Sequence, residues 1–376
     1  MRYIVAMDSY KGSLSSSAAA DAVSCGILAA DSDAVIRRIP IADGGEGTVE
    51  AYLAACGGIR RPVTVCGPLG KPLEAFYGIL PDRKTVVIEM AAASGLPMVP
   101  ENLRDPKITT TRGTGDLLRT AINAGSEDII LGIGGSSTND GGTGLLRALG
   151  IRFLDADGHD LPEGGAALAN LASIDLSGFS KPLSRIRVAC DVDNPLCGER
   201  GASTVFGPQK GASPEDVALL DAALAHYADI AAETLGFDLR NDPGAGAAGG
   251  VGFALKAFLG AELIPGVELL LDTVDLDSVL ADSDIVITGE GGTDFQTAFG
   301  KAPCGVARRA SKYGLPVFII SGGLGRGYRD VYAQGVTAAF SIADRPMTLE
   351  ASIADGARLL SDAAERLTRT ILAVRK

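Results

Sequence analysis

Apolar residues in this chain fall into short blocks that fit buried strands, separated by stretches whose spacing fits helices. Residues 2–7 read as a strand and 15–30 as a helix that Ser13 or Ser15 can cap. Residues 35–39 read as the next strand, and a helix over 48–55 follows that Gly57 can end. Strand, helix, strand, helix is the order of a parallel sheet. Between Val63 and Ile88 the pattern changes to shorter strands around Pro68, Pro72 and Pro81, which marks a candidate domain boundary.

Beyond it, strands are predicted over 86–89, 129–133, 151–154 and 186–190, with helices near 115–123 and 142–149 and a long one over 214–235. After Ala281 the simple alternation returns: strand 284–288, helix 303–313, strands 317–321 and 336–342, and a final helix over 349–374. Because both ends share one character, the expectation is an α/β protein of two domains. Residues 1–70 and 282–376 would build a Rossmann-like parallel sheet, residues 71–281 an inserted α/β domain, and the cleft between them would hold the active site.

The 49 glycines sit mostly between strands and helices rather than in low-complexity tracts, as tight turns require. A net charge of −12 and the lack of Lys/Arg runs argue against a nucleic-acid surface. No stretch reaches the roughly 18 uninterrupted apolar residues of a membrane span. Six cysteines without a CxxC pair and two distant histidines argue against structural zinc, and the whole reads as a cytoplasmic protein with reduced thiols.

The chemistry lies in three glycine-rich turns: ADGGEGT from Ala42, GIGGSSTNDGG from Gly132 and TGEGGTD from Thr288. Such turns let backbone amides converge on phosphate oxygens, and a helix start adds its positive dipole end. Carboxylates fall at predicted strand ends, where parallel sheets collect ligands: Asp8, Asp43, Asp191, Glu290 and Asp294. Lys11, Lys210 and Lys301 lie in glycine-rich segments of an otherwise acidic chain. Carboxylates, cations and amides together suit phosphoryl transfer, and Asp191 at a rigid strand end is the best-placed base. There is no GxxxxGK[ST], which excludes a Walker-type P-loop, and the GxGxxG at Gly244 follows LRNDP rather than an apolar strand. That run is expected to open a helix over 251–259, its small residues allowing a neighbour close approach.

Taken in order, MDSYKGSLSS from Met7, ADGGEGT, IEMAAASGLP from Ile88, TTTRGTGDLL from Thr109, GIGGSSTNDGG, ACDVDNPLCG from Ala189, VFGPQKGA from Val205, GAGAAGG from Gly244 and TGEGGTDFQTAFGKAPCGVA resemble the glycerate kinase type 1 family across nearly the whole chain. The resemblance implies ATP-dependent, in-line phosphorylation of D-glycerate to 2-phosphoglycerate with Mg²⁺. Three positions depart from the family pattern: Gly292 for arginine, Phe295 for a small residue and Tyr10 for phenylalanine.

Within that resemblance, Asp191 would deprotonate the acceptor hydroxyl, and Lys11 and Lys301 would meet phosphate charge. Asp43, Glu46, Glu290 and Asp294 would hold Mg²⁺, directly or through water. Substrate and nucleotide contacts would come from Asp8, Ser9, Gly44, Gly45, Gly134, Gly135, Ser136, Ser137, Asn139, Asp140, Asn194, Gln296 and Ser321. The expected partners are glycerate and ATP, with no nucleic acid and no membrane, and with room left for a homodimer. A kinase for a related hydroxy acid, an NAD(P)-dependent oxidoreductase and a non-catalytic phosphometabolite sensor are the competing classes.

Overall fold

The computed structural model describes residues 1–374, Phe299 by its backbone alone. The chain is an α/β protein that divides into two compact units. One comprises Met1–Asp43, Glu50–Gly57 and Val267–Lys376, the other Gly44–Val49 and Gly58–Gly266.

The first unit is built on a five-stranded sheet in the order Ala338–Ser341, Val317–Ser321, Ile285–Gly289, Arg2–Met7, Val35–Arg38, with every neighbouring pair parallel. Strands from both ends of the chain therefore share one sheet. The central strands are buried along their length, as a parallel sheet covered on both faces requires. Tyr3, Val5 and Met7 join one apolar cluster with the helices Ser16–Ala30 and Gly356–Val374. These two helices touch so closely that a Cβ on Gly26 would lie 2.0 Å from the Ser361 carbonyl oxygen.

The expected final helix is broken. It runs over Leu349–Ala354 and again over Gly356–Val374, and beside the break Ser13 Oγ donates to the Ile353 carbonyl at 2.7 Å.

The second unit carries a six-stranded sheet, Glu262–Ile264, Arg185–Ala189, Asp128–Gly132, Thr85–Glu89, Pro72–Ile79, Ile59–Cys66. The first four strands are parallel and the last two antiparallel. The proline-interrupted region after Val63 thus forms one long hairpin, Pro62 and Pro72 being accommodated on strands near the sheet edge. The expected strand near Ile151 does not join this sheet. Arg152–Leu154 pairs with Ser173–Asp175 as a separate two-stranded ribbon.

The helix Pro214–Leu235 has the expected bounds, with Ser213 and Asp216 closing a capping box. Its Tyr227 ring lies among Phe153, Phe253 and Phe258 in the unit's core. The glycine run after Asp242 leads into helix at Val251 as expected: within Ala247–Ala254 the positive φ of Ala248, Gly249 and Gly250 marks a kink, and helical backbone follows it into a π-helical stretch over Leu255–Leu259. The small residues are needed for close approach: a Cβ on Gly249 would lie 2.1 Å from the Thr138 carbonyl oxygen, and one on Gly246 2.1 Å from that of Pro195. Among the described residues no helix is long and apolar enough to cross a membrane, and all six cysteines are free.

Candidate active site

In the first unit, four carboxyl or hydroxyl groups stand where parallel strands end. Met7 pairs with Gly289, so Asp8 and Glu290 follow adjacent strands at the same level. Past Arg38 the chain continues the ladder, Ile39 and Ile41 donating to the carbonyls of Val5 and Met7 at 2.8 Å, and it leaves the sheet at Asp43. Ser321 closes the next strand on the other side. The chain winds from the Arg2–Met7 strand toward one edge and returns on its opposite side with Ile285–Gly289. Between these two strands lies the switch point where open parallel sheets bind ligands.

Glu290 is only 6% exposed. Its Oε1 accepts from Thr297 Oγ1 at 2.5 Å and from Thr293 Oγ1 at 3.3 Å, while Thr293 also bonds Ser321. Lys301 Nζ stands 3.6 Å from Glu290 Oε2 and 4.0 Å from Asp294 Oδ1. Burial pushes the Glu290 carboxyl up, and the Thr297 hydroxyl and the lysine pull it back. Asp8 is pushed up to about 7, first by burial and then by the neighbouring charges of Asp43 and Glu290, against the Ser9 amide at 2.6 Å and Lys11.

Asp294 serves its own turn: it accepts from the Gln296 amide at 2.9 Å, and its amide donates to Thr297 Oγ1 at 3.2 Å. Gln296 and Lys11 are exposed.

In the second unit, Glu89, Gly132, Ala189 and Ile264 are paired in one row, so four parallel strands end together. Two of the glycine-rich turns meet there. The Gly134 amide donates to the Gly44 carbonyl at 2.9 Å, and a Cβ on Gly44 (φ 94°) would lie 2.6 Å from that of Ala189. Asp191, exposed two residues beyond Ala189, accepts from the Gly266 amide at 2.9 Å. Gly44, Gly45, Glu46, the 134–137 turn and Asp191 therefore belong to one sheet edge. Asn194 is set into its own loop, its Nδ2 donating to the Arg200 carbonyl at 2.8 Å.

The turn differs from expectation in how its amides are used. Gly134 and Ser137 donate to the carbonyls of Gly44 and Ser94, which leaves the amides of Gly135 and Ser136 without a protein acceptor among the described residues. Nor is the following helix start open to an anion. Asp140, fully buried, accepts from the amides of Gly142 and Gly144 at 3.0 and 3.2 Å and from the amide and hydroxyl of Thr111 at 2.9 and 2.8 Å. The expectation that Asp140 contacts ligand gives way to an internal role: the protein's own carboxylate fills the site that the dipole would offer. Asn139 is also buried, with Nδ2 donating to Ser203 Oγ at 2.9 Å.

Thr293, Thr297 and Tyr10 were not among the expected site residues. The Tyr10 hydroxyl, buried, donates to the Ile320 carbonyl at 2.6 Å and ties the Asp8 loop to the strand that ends in Ser321. The threonines were signalled by the TGEGGTDFQT spacing, which sets a hydroxyl three and seven residues after Glu290.

The four acidic residues expected to bind metal do not close into a cage. Among the described residues the one Asp/Glu/His/Cys trio with ligand atoms within 4.8 Å is Asp155, Asp157 and His159. Its geometry is that of a surface turn, the amides of Asp157 and His159 donating to Asp155 Oδ1 at 3.0 and 2.9 Å.

Residues 3–372 match the description of the glycerate kinase family. A glycerate kinase of Bacillus subtilis strain 168 is 48% identical over 99% of this chain and 98% of its own. A glycerate 2-kinase of Escherichia coli K12 is 49% identical over 93% of this chain and 92% of its own. The crystal structure named for a glycerate kinase 2 of Salmonella typhimurium LT2 superposes with a TM-score of 0.90 at 48% identity, covering 100% of this chain and 99% of that one. A match that runs through every motif and both sheets leaves one conclusion: this chain belongs to the glycerate kinase family.

Proposed function

We propose that the chain transfers the γ-phosphoryl group of ATP to O2 of D-glycerate, giving 2-phosphoglycerate and ADP, with Mg²⁺ as the accompanying ion. The observation that carries this reading is the pairing at the switch point of Asp8 and Glu290 with Asp43 and Lys301 around them, in a chain of this family. The relative named glycerate 2-kinase supports O2 as the acceptor.

The residues present fit a divalent cation. Asp43 and Glu290 both raise the proton affinity of Asp8, so a divalent cation beside it would offset like charge. Mg²⁺ usually needs only one or two carboxylates, with water and phosphate completing its shell, so the lack of a closed cage is no obstacle. Asp43, Glu290 and Asp294 would hold it, with Glu46 as a fourth donor. Bound there, the ion would neutralise charge on the phosphates.

The chain's own groups account for the rest. Lys11 and Lys301 would meet the phosphate charge, while the amides of Gly135 and Ser136 would grip an anionic oxygen. Asp191 would take the O2 proton as the new O–P bond forms and the bond to the ADP oxygen breaks. Ser9, Gly45, Gln296 and Ser321 would supply further contacts.

The test is product identification by ³¹P NMR after incubation with ATP, Mg²⁺ and D-glycerate. A secondary phosphate at O2 couples to one proton and gives a doublet, whereas a primary phosphate at O3 gives a triplet. A triplet would reassign the acceptor, and no glycerate-dependent ADP would remove the reading.

A further inference from the structure

Lys210 is 2% exposed and belongs to the Pro208–Lys210 turn. That turn is fixed by Gly211 (φ 99°), where a Cβ would lie 2.3 Å from the Arg104 carbonyl oxygen. The lysine ammonium donates to Ser136 Oγ at 2.7 Å and to the Thr138 carbonyl at 2.6 Å, two neutral acceptors in the glycine-rich turn. An ammonium shut away from water is costly unless an opposite charge compensates it. Among the described residues the charge that acts on it is Asp140, which is already engaged by Thr111, Gly142 and Gly144. Burial therefore pulls the ammonium down to about 7.

The same turn holds two buried polar atoms with no hydrogen-bond partner among the described residues, Thr138 Oγ1 and Asn139 Oδ1. Its other side is open: Gly135 is exposed, and the amides of Gly135 and Ser136 have no protein acceptor. A cation on the buried side and free amides beside an exposed glycine describe a turn that lacks its anion.

We propose that Lys210 is a positioning residue for an anion held at the 134–138 turn, fixing Ser136 and Thr138 from the buried side and supplying the positive charge that the anion needs. The proposal deepens the kinase reading and rests on it for the anion's identity, a phosphate of the nucleotide or the carboxylate of the acid. A bound anion raises the proton affinity of the ammonium. Above neutrality, binding must then take up a proton from solvent.

The experiment is calorimetric titration of the full chain with Mg²⁺-ADP and, separately, with D-glycerate, on the alkaline side of neutrality and in buffers of different ionisation enthalpy. It is run on the natural chain and on Lys210→Met, whose unfolding temperature without ligand controls for folding. The expected result is proton uptake with one of the two ligands, absent in Lys210→Met, together with a loss of affinity on the order of tenfold or more for that ligand alone. Loss in the ADP arm identifies phosphate, and loss in the glycerate arm identifies carboxylate. The proposal is overturned if a folded Lys210→Met keeps both affinities. It is also overturned if the natural chain takes up no proton with either ligand or binds neither, results that need no variant. Binding with proton uptake but no phosphoryl transfer would sink the kinase reading and leave this one standing.

Discussion

The amide of Gly134 donates to the carbonyl of Gly44 at 2.9 Å, and this one bond joins two glycine-rich turns that lie far apart in sequence. The contact is backbone on backbone, so there is no side chain that could yield. A Cβ on residue 134 would fall 2.7 Å from Gly45 Cα and 3.0 Å from its nitrogen. Gly134→Ala should therefore push the turns apart, at a cost of roughly 1–3 kcal/mol as in other overpacked sites. We expect a lower unfolding temperature and a kcat/KM reduced more than the stability loss would explain, measured at a temperature where the variant is folded.

Asp8 makes a different prediction, about pH. Its carboxyl is raised from the ordinary aspartate range to about 7, so the folded chain binds this proton more tightly than the unfolded chain does. The stability it contributes is complete below the unfolded value and is lost as pH rises through about 7. Asp8→Asn removes the ionisation. Its unfolding temperature in the absence of ligand should exceed that of the natural chain above neutrality and converge with it in acid, while phosphoryl transfer falls. Equal unfolding profiles across that range would mean that Asp8 carries no buried charge.

Much of this was legible in the sequence, for identifiable reasons. Strands such as 317–321 and the helix over 214–235 declare themselves because apolar period and caps agree, Ser213 and Asp216 at one end and Gly236 at the other. The shared sheet of the two chain ends was legible because both ends keep the same strand–helix rhythm.

What the sequence hid was how polar groups spend their hydrogen bonds. Asp140 reads as a ligand in a GGSSTND turn, yet it satisfies amides of its own helix and of Thr111, a partner distant in sequence. Lys210 stands out in the sequence only as a cation in a glycine-rich segment, and it takes the fold to put it against Ser136. The break before Gly356 was equally invisible, as was the hydrogen bond that Ser13, from the other end of the chain, makes beside it.

For Asp191, asparagine is a clean replacement, because an amide oxygen can still accept the hydrogen bond from the Gly266 amide that the carboxylate now holds at 2.9 Å. The fold is kept and the basicity is removed. Asp191→Asn should lower kcat by about two orders of magnitude or more, as loss of a general base does, and leave KM for ATP nearly unchanged. Near-normal turnover in this variant would transfer the role of base to another group.

Gly292 tests the departure from the family pattern. It pairs with Gly323 in a two-residue ladder, its backbone needs no positive φ, and nothing lies within 4 Å of the Cβ that a side chain would add. Gly292→Arg should therefore fold as the natural chain does, with an unfolding temperature close to unchanged. The new guanidinium would stand two residues from Glu290, at an edge already crowded with carboxylates. If the phosphates or the acid bind there, a second cation beside Lys301 should lower the KM of the anionic ligand several-fold, and the gain should shrink as salt is added, because exposed charges are screened within about 10 Å at 0.1 M salt. An arginine that leaves both KM values untouched would place the anion away from this turn and return the weight of recognition to Gly135, Ser136 and Lys210.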